Sequence, residues 1–327
     1  MKAILHTQYG SPDALRFTEI AQPQLDDHRL LVKVHAASVN ALDWHVMRGK
    51  PFLVQFSEGL RKPKDPHMGV DLAGRVEAVG SKVTQFQVGD AVFGRGNGAF
   101  AEYVCPREDA VVLKPANLSF AAAAAVPVAA LTALQGLRNM GHIQPGHQVL
   151  IQGASGGVGT FAVQLAKALG AEVTAVCSTR NVAMIRSLGA DHVIDYTQED
   201  FLKQGKRYDL ILAVNGYHPI FAYRRALLPT GRYVMVGASS HLMQAMFQTM
   251  LLGPVMSRMG KRSMGSLMMD LPQSDLALLK DLLKAGKIVP VIERQYSLRE
   301  VPEAIRYVEK GHACGKVVII VDQQETT

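Results

Sequence analysis

At 327 residues the chain is long enough for about two domains, which excludes a peptide hormone, a disulfide-stapled mini-scaffold or a disordered tail. Hydrophobic residues make up 48% and charged residues 19%, the balance of a globular protein on the apolar side of average. The formal net charge of +7 is spread along the chain without a block of like charges, so it reads as a solvated basic exterior, with no strong nucleic-acid signal.

In chain order, the N-terminus places one Lys and then polar residues where a secretory leader needs an apolar core, so it reads as a first strand. Short apolar or alternating runs at 3–5, 30–34, 70–79, 91–93, 100–104 and 111–113, punctuated by Gly and Pro, predict a mostly β domain with tight turns. Ser119 is placed to cap a helix running through the alanines to about residue 137. From there strand and helix alternate. Residues 149–152 read as a buried strand, and Val158, Phe161, Ala162, Leu165, Ala166 and Leu169 fall on one helix face. A strand at 173–177, a helix at 181–188 ended by Gly189, a strand at 210–214, a helix at 221–228 and a strand at 233–236 follow. Such alternation implies a parallel sheet with helices on both faces.

Cys105, Cys177 and Cys314 stand far apart with no paired spacing, so neither a disulfide framework nor a thiolate zinc site is expected, and a reducing, cytoplasmic setting fits best. Two stretches, 115–137 and 233–257, lack charge. Pro127 interrupts the first, and Gly237, Ser239, Ser240 and His241 interrupt the second, so neither predicts a membrane span. Nine of the 14 methionines fall between 235 and 269, where they suit an adaptable wall for apolar ligands, a gap-filling core, a subunit interface or a peripheral membrane contact.

The glycines of QGASGGVGT, Gly153, Gly156 and Gly159, follow a predicted strand and open a predicted helix. Their backbone can turn tightly and approach a pyrophosphate, which the N–H groups of the helix start would hold; this is a dinucleotide loop in its required context. Between Glu172 and Asp191 there is no acid to bind ribose hydroxyls. Ser178 and Arg180 follow the second strand instead, a hydroxyl and a guanidinium suited to a 2′-phosphate, so NADPH is expected over NADH.

The ordered set SVNALDW, GVDLAGRVEAVG, VGDAVFG, GAFAEYV, GASGGVG, LGADHVIDY, GKIVPVI, EVPEAI and GKVVI resembles the medium-chain dehydrogenase/reductase superfamily along nearly the whole chain. Within it the sequence looks like the zinc-independent quinone oxidoreductase branch, and most like the organelle quinone oxidoreductase-like proteins that include the reticulon-4-interacting type. The resemblance implies an α/β fold: a Rossmann-type doubly wound parallel sheet at 125–270, and a mostly β GroES-like catalytic domain from 1–124 and 271–327. Zinc enzymes of the superfamily carry a Cys after an early strand and a Gly-His-Glu block, where this chain has Asn40 and Val70-Asp71, and their four-cysteine lobe is reduced here to residues 95–98. No metal is therefore expected, and His67 with Asp71 does not complete a site.

Carried over residue by residue, the resemblance assigns Ser155, Gly157 and Val158 to the pyrophosphate and Tyr196 to the adenosine. Val214, Met269, Leu271, His312 and Ala313 would line the rest. Two positions depart from it: 213–217 reads AVNGY where relatives commonly have Asp-x-x-Gly-Gly, and Cys314 stands where they often have Arg. The implied reaction passes hydride from NADPH to a quinone or an α,β-unsaturated carbonyl, whose oxygen needs a hydrogen-bond donor. Asn40, Asp43 and His45 are the catalytic candidates, with Asp43 equally readable as a helix cap. A homodimer is left open. The competing reading is an NADPH-binding protein whose main role is partner or nucleic-acid binding, with residual reductase activity.

Overall fold

The computed structural model describes residues 1–237, 242–258, 261–270 and 272–321. The chain divides into two compact units, one built from Met1–Ala129, Leu271–Ala285 and Pro290–Thr327, the other from Ala130–Asp270 and Gly286–Val289.

The second unit holds a six-stranded parallel sheet in the spatial order His192–Asp195, Glu172–Cys177, Gln148–Gln152, Tyr208–Ala213, Leu227–Met235, Ser263–Ser266. Numbered along the chain that is 3-2-1-4-5-6, the doubly wound order. The sense of winding reverses at strand Gln148–Gln152, and ligands of such sheets bind beyond the strand ends at that reversal. Helix Gly157–Ala168 buries Phe161, Ala162, Leu165 and Ala166, as its apolar periodicity predicts. Gly170, at φ +82°, turns the chain into the next strand. Tyr208, Tyr223, Met235, Met256 and Met264 pack with Leu150, Val176 and Ile211 in one core.

In the first unit a mostly antiparallel sheet runs in the order Ile292–Ser297, Lys316–Ile320, Leu30–Val39, Asp71–Val79, Ala91–Arg95, Val111–Leu113, with Tyr103–Val104 also paired to Leu30–Val39. Leu30, Val32, Leu72, Val92, Phe100 and Val317 lie in its core. The registers of three strands converge at one end. Ser38 pairs with Asp71 and Val39 with Val317, so strands that are remote in sequence bring Ser38, Asp71 and Lys316 to one place, where the central strand gives way to helix Ala41–Arg48.

Ser119 caps its helix as expected, its Oγ accepting the Ala122 N–H at 3.1 Å. The single helix to about residue 137 is not observed. Phe120–Ala124 stops, a second helix begins at Pro127, and a wider turn at Gly136–Met140 ends it, because a proline has no N–H to continue the first ladder. The last predicted strand of the parallel sheet begins earlier than its apolar core, at Leu227 instead of 233. Among the described residues no helix is long and apolar enough to cross a membrane.

Candidate active site

The glycine loop lies at the C-terminal end of the strand where the second unit's winding reverses. Gly153 has φ +79°, and a side chain there would meet Asn215 Cβ at 2.9 Å, so the loop and the 214–216 turn are pressed together. A Cβ on Gly159 would strike the Gly153 carbonyl oxygen at 2.1 Å and the Ala154 backbone at 2.6 Å, which fixes the helix against the loop. A Cβ on Gly156 would find only one neighbour, at 3.7 Å. The backbone at Gly156 thus faces open space at the start of a 12-residue helix, whose first-turn N–H groups, Gly157 and Val158 among them, have no intrahelical acceptor. A pyrophosphate fits this cradle. Ser155 belongs to the same turn.

Ser178 follows strand Glu172–Cys177, its Oγ 3.3 Å from the Asn181 amide nitrogen, and Arg180 is exposed in the next turn. Asp195 pairs in register with Cys177, so a carboxylate stands one strand away from Ser178. It accepts from Thr179 Oγ1 at 2.5 Å, Thr197 N at 3.0 Å, Thr197 Oγ1 at 2.7 Å and Gln198 Nε2 at 2.9 Å. The Thr179 and Thr197 bonds are among the causes that hold its carboxyl below the usual range. A scan for acids along the second strand misses Asp195; only the order of the third strand reveals it. Tyr196 is exposed, donates its N–H to the Cys177 carbonyl at 3.0 Å, and faces Tyr217 across 6.2 Å. The Val214 N–H bonds the Gln152 carbonyl at 3.0 Å, which holds the 214–216 turn beside the loop. From beneath, the buried Tyr223 hydroxyl donates to Gln152 Oε1 at 2.5 Å and accepts the N–H groups of Tyr217 and His218 at 3.1 and 3.2 Å.

In the first unit the register gathers a buried polar cluster around Asn40. Asn40 Nδ2 donates to Asp71 Oδ2 at 2.8 Å, and its Oδ1 accepts from Lys316 Nζ at 2.6 Å. Lys316 Nζ also reaches the Val39 carbonyl at 3.2 Å and Asp71 Oδ2 at 3.5 Å. Asp71 further accepts Ser38 Oγ–H at 2.7 Å and the Val128 N–H at 3.0 Å. Lys316 and Asp71 are 3% and 0% exposed, so this is an ion pair withdrawn from water. Burial pulls the Lys316 ammonium below its ordinary range, while the carboxylates of Asp71 and Asp43 raise it. Sequence reasoning missed Lys316 and Asp71 as members of the site.

Asp43 caps helix Ala41–Arg48, its Oδ2 accepting the Asn40 N–H at 2.7 Å. Burial pushes its carboxyl up to about 7, the Asn40 N–H pulls it down, Asp71 pushes it further up and Lys316 opposes. His45 follows two residues later in the same helix, with Nδ1 2.8 Å from the Lys50 carbonyl, so the ring proton sits on Nδ1. Burial lowers its pKa, and a neutral ring held this way has no proton on Nε2 to give.

The remaining predicted positions are scattered. Met269 places its sulfur 3.0 Å from Thr132 Oγ1, and Leu271 lies outside the described residues. His312 and Ala313 belong to the first unit, in a turn whose Cys314 N–H bonds Glu293 at 2.7 Å. The methionine-rich segment is mixed: Met235, Met256 and Met264 are core, Met250 and Met268 are exposed, and the side chains of Met243 and Met246 lie outside the described residues.

Comparison with known proteins returns a family model described as an alcohol dehydrogenase GroES-like domain at residues 26–116, and one described as a zinc-binding dehydrogenase at residues 188–319. The chain is 34% identical to a 2-methylene-furan-3-one reductase of Solanum lycopersicum, covering 98% of this chain and 79% of that protein. It is also 34% identical to the mitochondrial NAD(P)H oxidoreductase RTN4IP1 of Mus musculus, covering 98% and 89%. A quinone oxidoreductase structure from Coxiella burnetii superposes with a TM-score of 0.87 at 33% identity, over 98% of this chain and 99% of that one. At the two positions where the resemblance leads one to look for zinc ligands the side chains do not suit a metal: the Asn40 oxygen already accepts from an ammonium, and Val70 has no donor atom.

Proposed function

The chain belongs to the quinone oxidoreductase branch of the medium-chain dehydrogenase/reductase superfamily, and on that premise we propose that it is a zinc-independent, NADPH-dependent reductase of quinones and other α,β-unsaturated carbonyls. The observation that carries the cofactor is the loop of Gly153, Gly156 and Gly159 at the reversal of the sheet, with Ser178 and Arg180 beyond the neighbouring strand. Asp195 is already engaged by four hydrogen bonds and is not free to bind ribose hydroxyls, which favours NADPH. Its standing negative charge limits the preference, since it opposes a 2′-phosphate at close range.

The substrate class is supported by the names of the relatives, a quinone oxidoreductase and an enone reductase, and by the Asn40 amide, which keeps one N–H after its bond to Asp71. When bound, NADPH supplies a hydride to an electron-poor carbon. The displaced electron pair ends on the conjugated carbonyl oxygen, which takes its proton from water. Asn40 is the side chain we assign to that oxygen, as a hydrogen-bond donor while the charge builds. Asp43 and Ser38 hold the surrounding backbone and Asp71, and His45 is kept neutral.

The test is NADPH consumption by the purified protein with benzoquinone, naphthoquinone and a small enone, beside NADP⁺ with ethanol. Turnover with the conjugated acceptors and none with ethanol is expected. Robust ethanol oxidation, or no consumption with any acceptor, would overturn the reading.

A further inference from the structure

We propose that the Lys316 ammonium is a built-in cation that orients and polarises the Asn40 amide, making Lys316 a positioning residue for the group that meets the substrate oxygen. The inference rests on the proposed function and adds to it a residue and a physical role.

An amide has two N–H donors and an acceptor oxygen, and its two ends are distinguished only by their partners. Here the partners leave no choice. Lys316 has donors alone, so the end 2.6 Å from it is the oxygen; Asp71 accepts, so the end 2.8 Å from it is the nitrogen. One Nδ2 hydrogen is spent on Asp71 and one remains. The amide therefore cannot flip without setting an N–H against an ammonium and an oxygen against a carboxylate, both inside the protein, where such contacts cost most. Asn40 itself is 8% exposed, and its neighbours in the cluster are shielded more completely still.

A cation on the amide oxygen also changes the donor at the other end. It favours the resonance form with negative oxygen and positive nitrogen, so the remaining N–H becomes a stronger donor to an oxygen that is gaining charge. Lys316 has no donor left for any other task, since its three hydrogens go to Asn40, Asp71 and the Val39 carbonyl. It acts only through Asn40.

Stability alone is a poor reason for this arrangement. Removing a Lys and an Asp from water costs more than their attraction readily returns, and apolar side chains of similar volume would hold three strands together as well or better.

The experiment compares Lys316→Met, Lys316→Gln and Lys316→Arg with the wild type, measuring kcat and KM for benzoquinone, the NADPH dissociation constant by fluorescence titration, and the melting temperature. Loss of the charge is expected to lower kcat at least tenfold in the Met and Gln variants while NADPH affinity stays within about twofold. The Arg variant keeps a cation and is expected to recover most of kcat. Lys316→Gln retains a donor for Asn40 without charge, so it decides the matter if Lys316→Met does not fold. A folded Gln or Met variant with kcat within about twofold of wild type overturns the proposal, as does a rise in KM or a loss of NADPH affinity that accounts for the whole loss of activity. An inactive wild type instead overturns the functional reading, and the positioning role with it.

Discussion

Replacing Asp43 by Asn isolates the burial of one charge. Asp43 is 3% exposed, and the bond it accepts from the Asn40 N–H at 2.7 Å is one that an amide oxygen can keep. Burial is the main force pushing its carboxyl from an ordinary 3.8 to about 7. Below about pH 4 the group is neutral in the folded and the unfolded chain, and its stability contribution is fully present. As the pH rises the unfolded chain ionises first, so that contribution is lost progressively up to about pH 7 and stays lost above it. Every pH unit between the folded and unfolded ionisation points is worth about 1.4 kcal/mol, so a gap of about three corresponds to about 4 kcal/mol at neutral pH. Asp43→Asn cannot ionise and does not suffer this loss. Its stability relative to wild type should climb by about 4 kcal/mol between pH 4 and pH 7, or about 8 to 16 °C in melting temperature for a folding unit of this size. Thermal melts of both proteins across that window, at constant ionic strength, provide the test. A melting-temperature difference that stays flat from acid to neutral pH would show that Asp43 ionises as an ordinary surface carboxylate does, and would refute the argument from burial.

Arg180→Ala should weaken NADPH about tenfold or more while leaving NADH nearly unchanged, since a charge-assisted bond contributes about 1.5 to 3 kcal/mol. Calorimetric titration with both nucleotides checks it, and equal losses for the two would remove Arg180 from the 2′-phosphate. Tyr223→Phe should destabilise the second unit by about 2 to 3 kcal/mol, because Gln152 Oε1 and the Tyr217 and His218 N–H groups lose their shared partner in a buried site. Burial raises the Tyr223 hydroxyl to about 12, so the effect should not vary between pH 6 and pH 9, roughly. A Phe variant that melts with the wild type would mean that water or a rearranged turn replaces the hydroxyl.

How far the fold and its site can be read from the chain depends on whether the partners of a group lie near it in sequence. The glycine loop is legible because strand, turn and helix are contiguous, and each glycine has a local reason to be one. Gly159 cannot bear a side chain because of Gly153 and Ala154, six and five positions away. The helix expected from Ser119 to about 137 is legible at its cap and not at its break, because an alanine-rich apolar run hides the missing N–H of Pro127 behind high helix propensity. Asp195 is invisible along the second strand and obvious beside it, since only the strand order sets it against Cys177.

The Asn40 cluster is the extreme case, with Lys316 276 residues from Asn40 and 245 from Asp71. A lysine in a terminal GKVVI reads as a solvated residue, because lysines are almost never fully buried unless paired. One signal is nonetheless present. Lys316 opens an otherwise apolar run, the pattern of a strand covered on both faces, and a cation there must find an acceptor inside the protein. The chain offers few acids in comparable surroundings. Asp71, between Val70 and Leu72 in a run that is apolar on both sides, is one of them, and the same reasoning that demands a carboxylate for Lys316 demands a cation for Asp71. Matching a buried cation to a buried anion makes Asp71 one candidate partner for Lys316. The register then adds what such matching cannot supply: Asn40 stands within reach of both, held at its oxygen by one and at its nitrogen by the other.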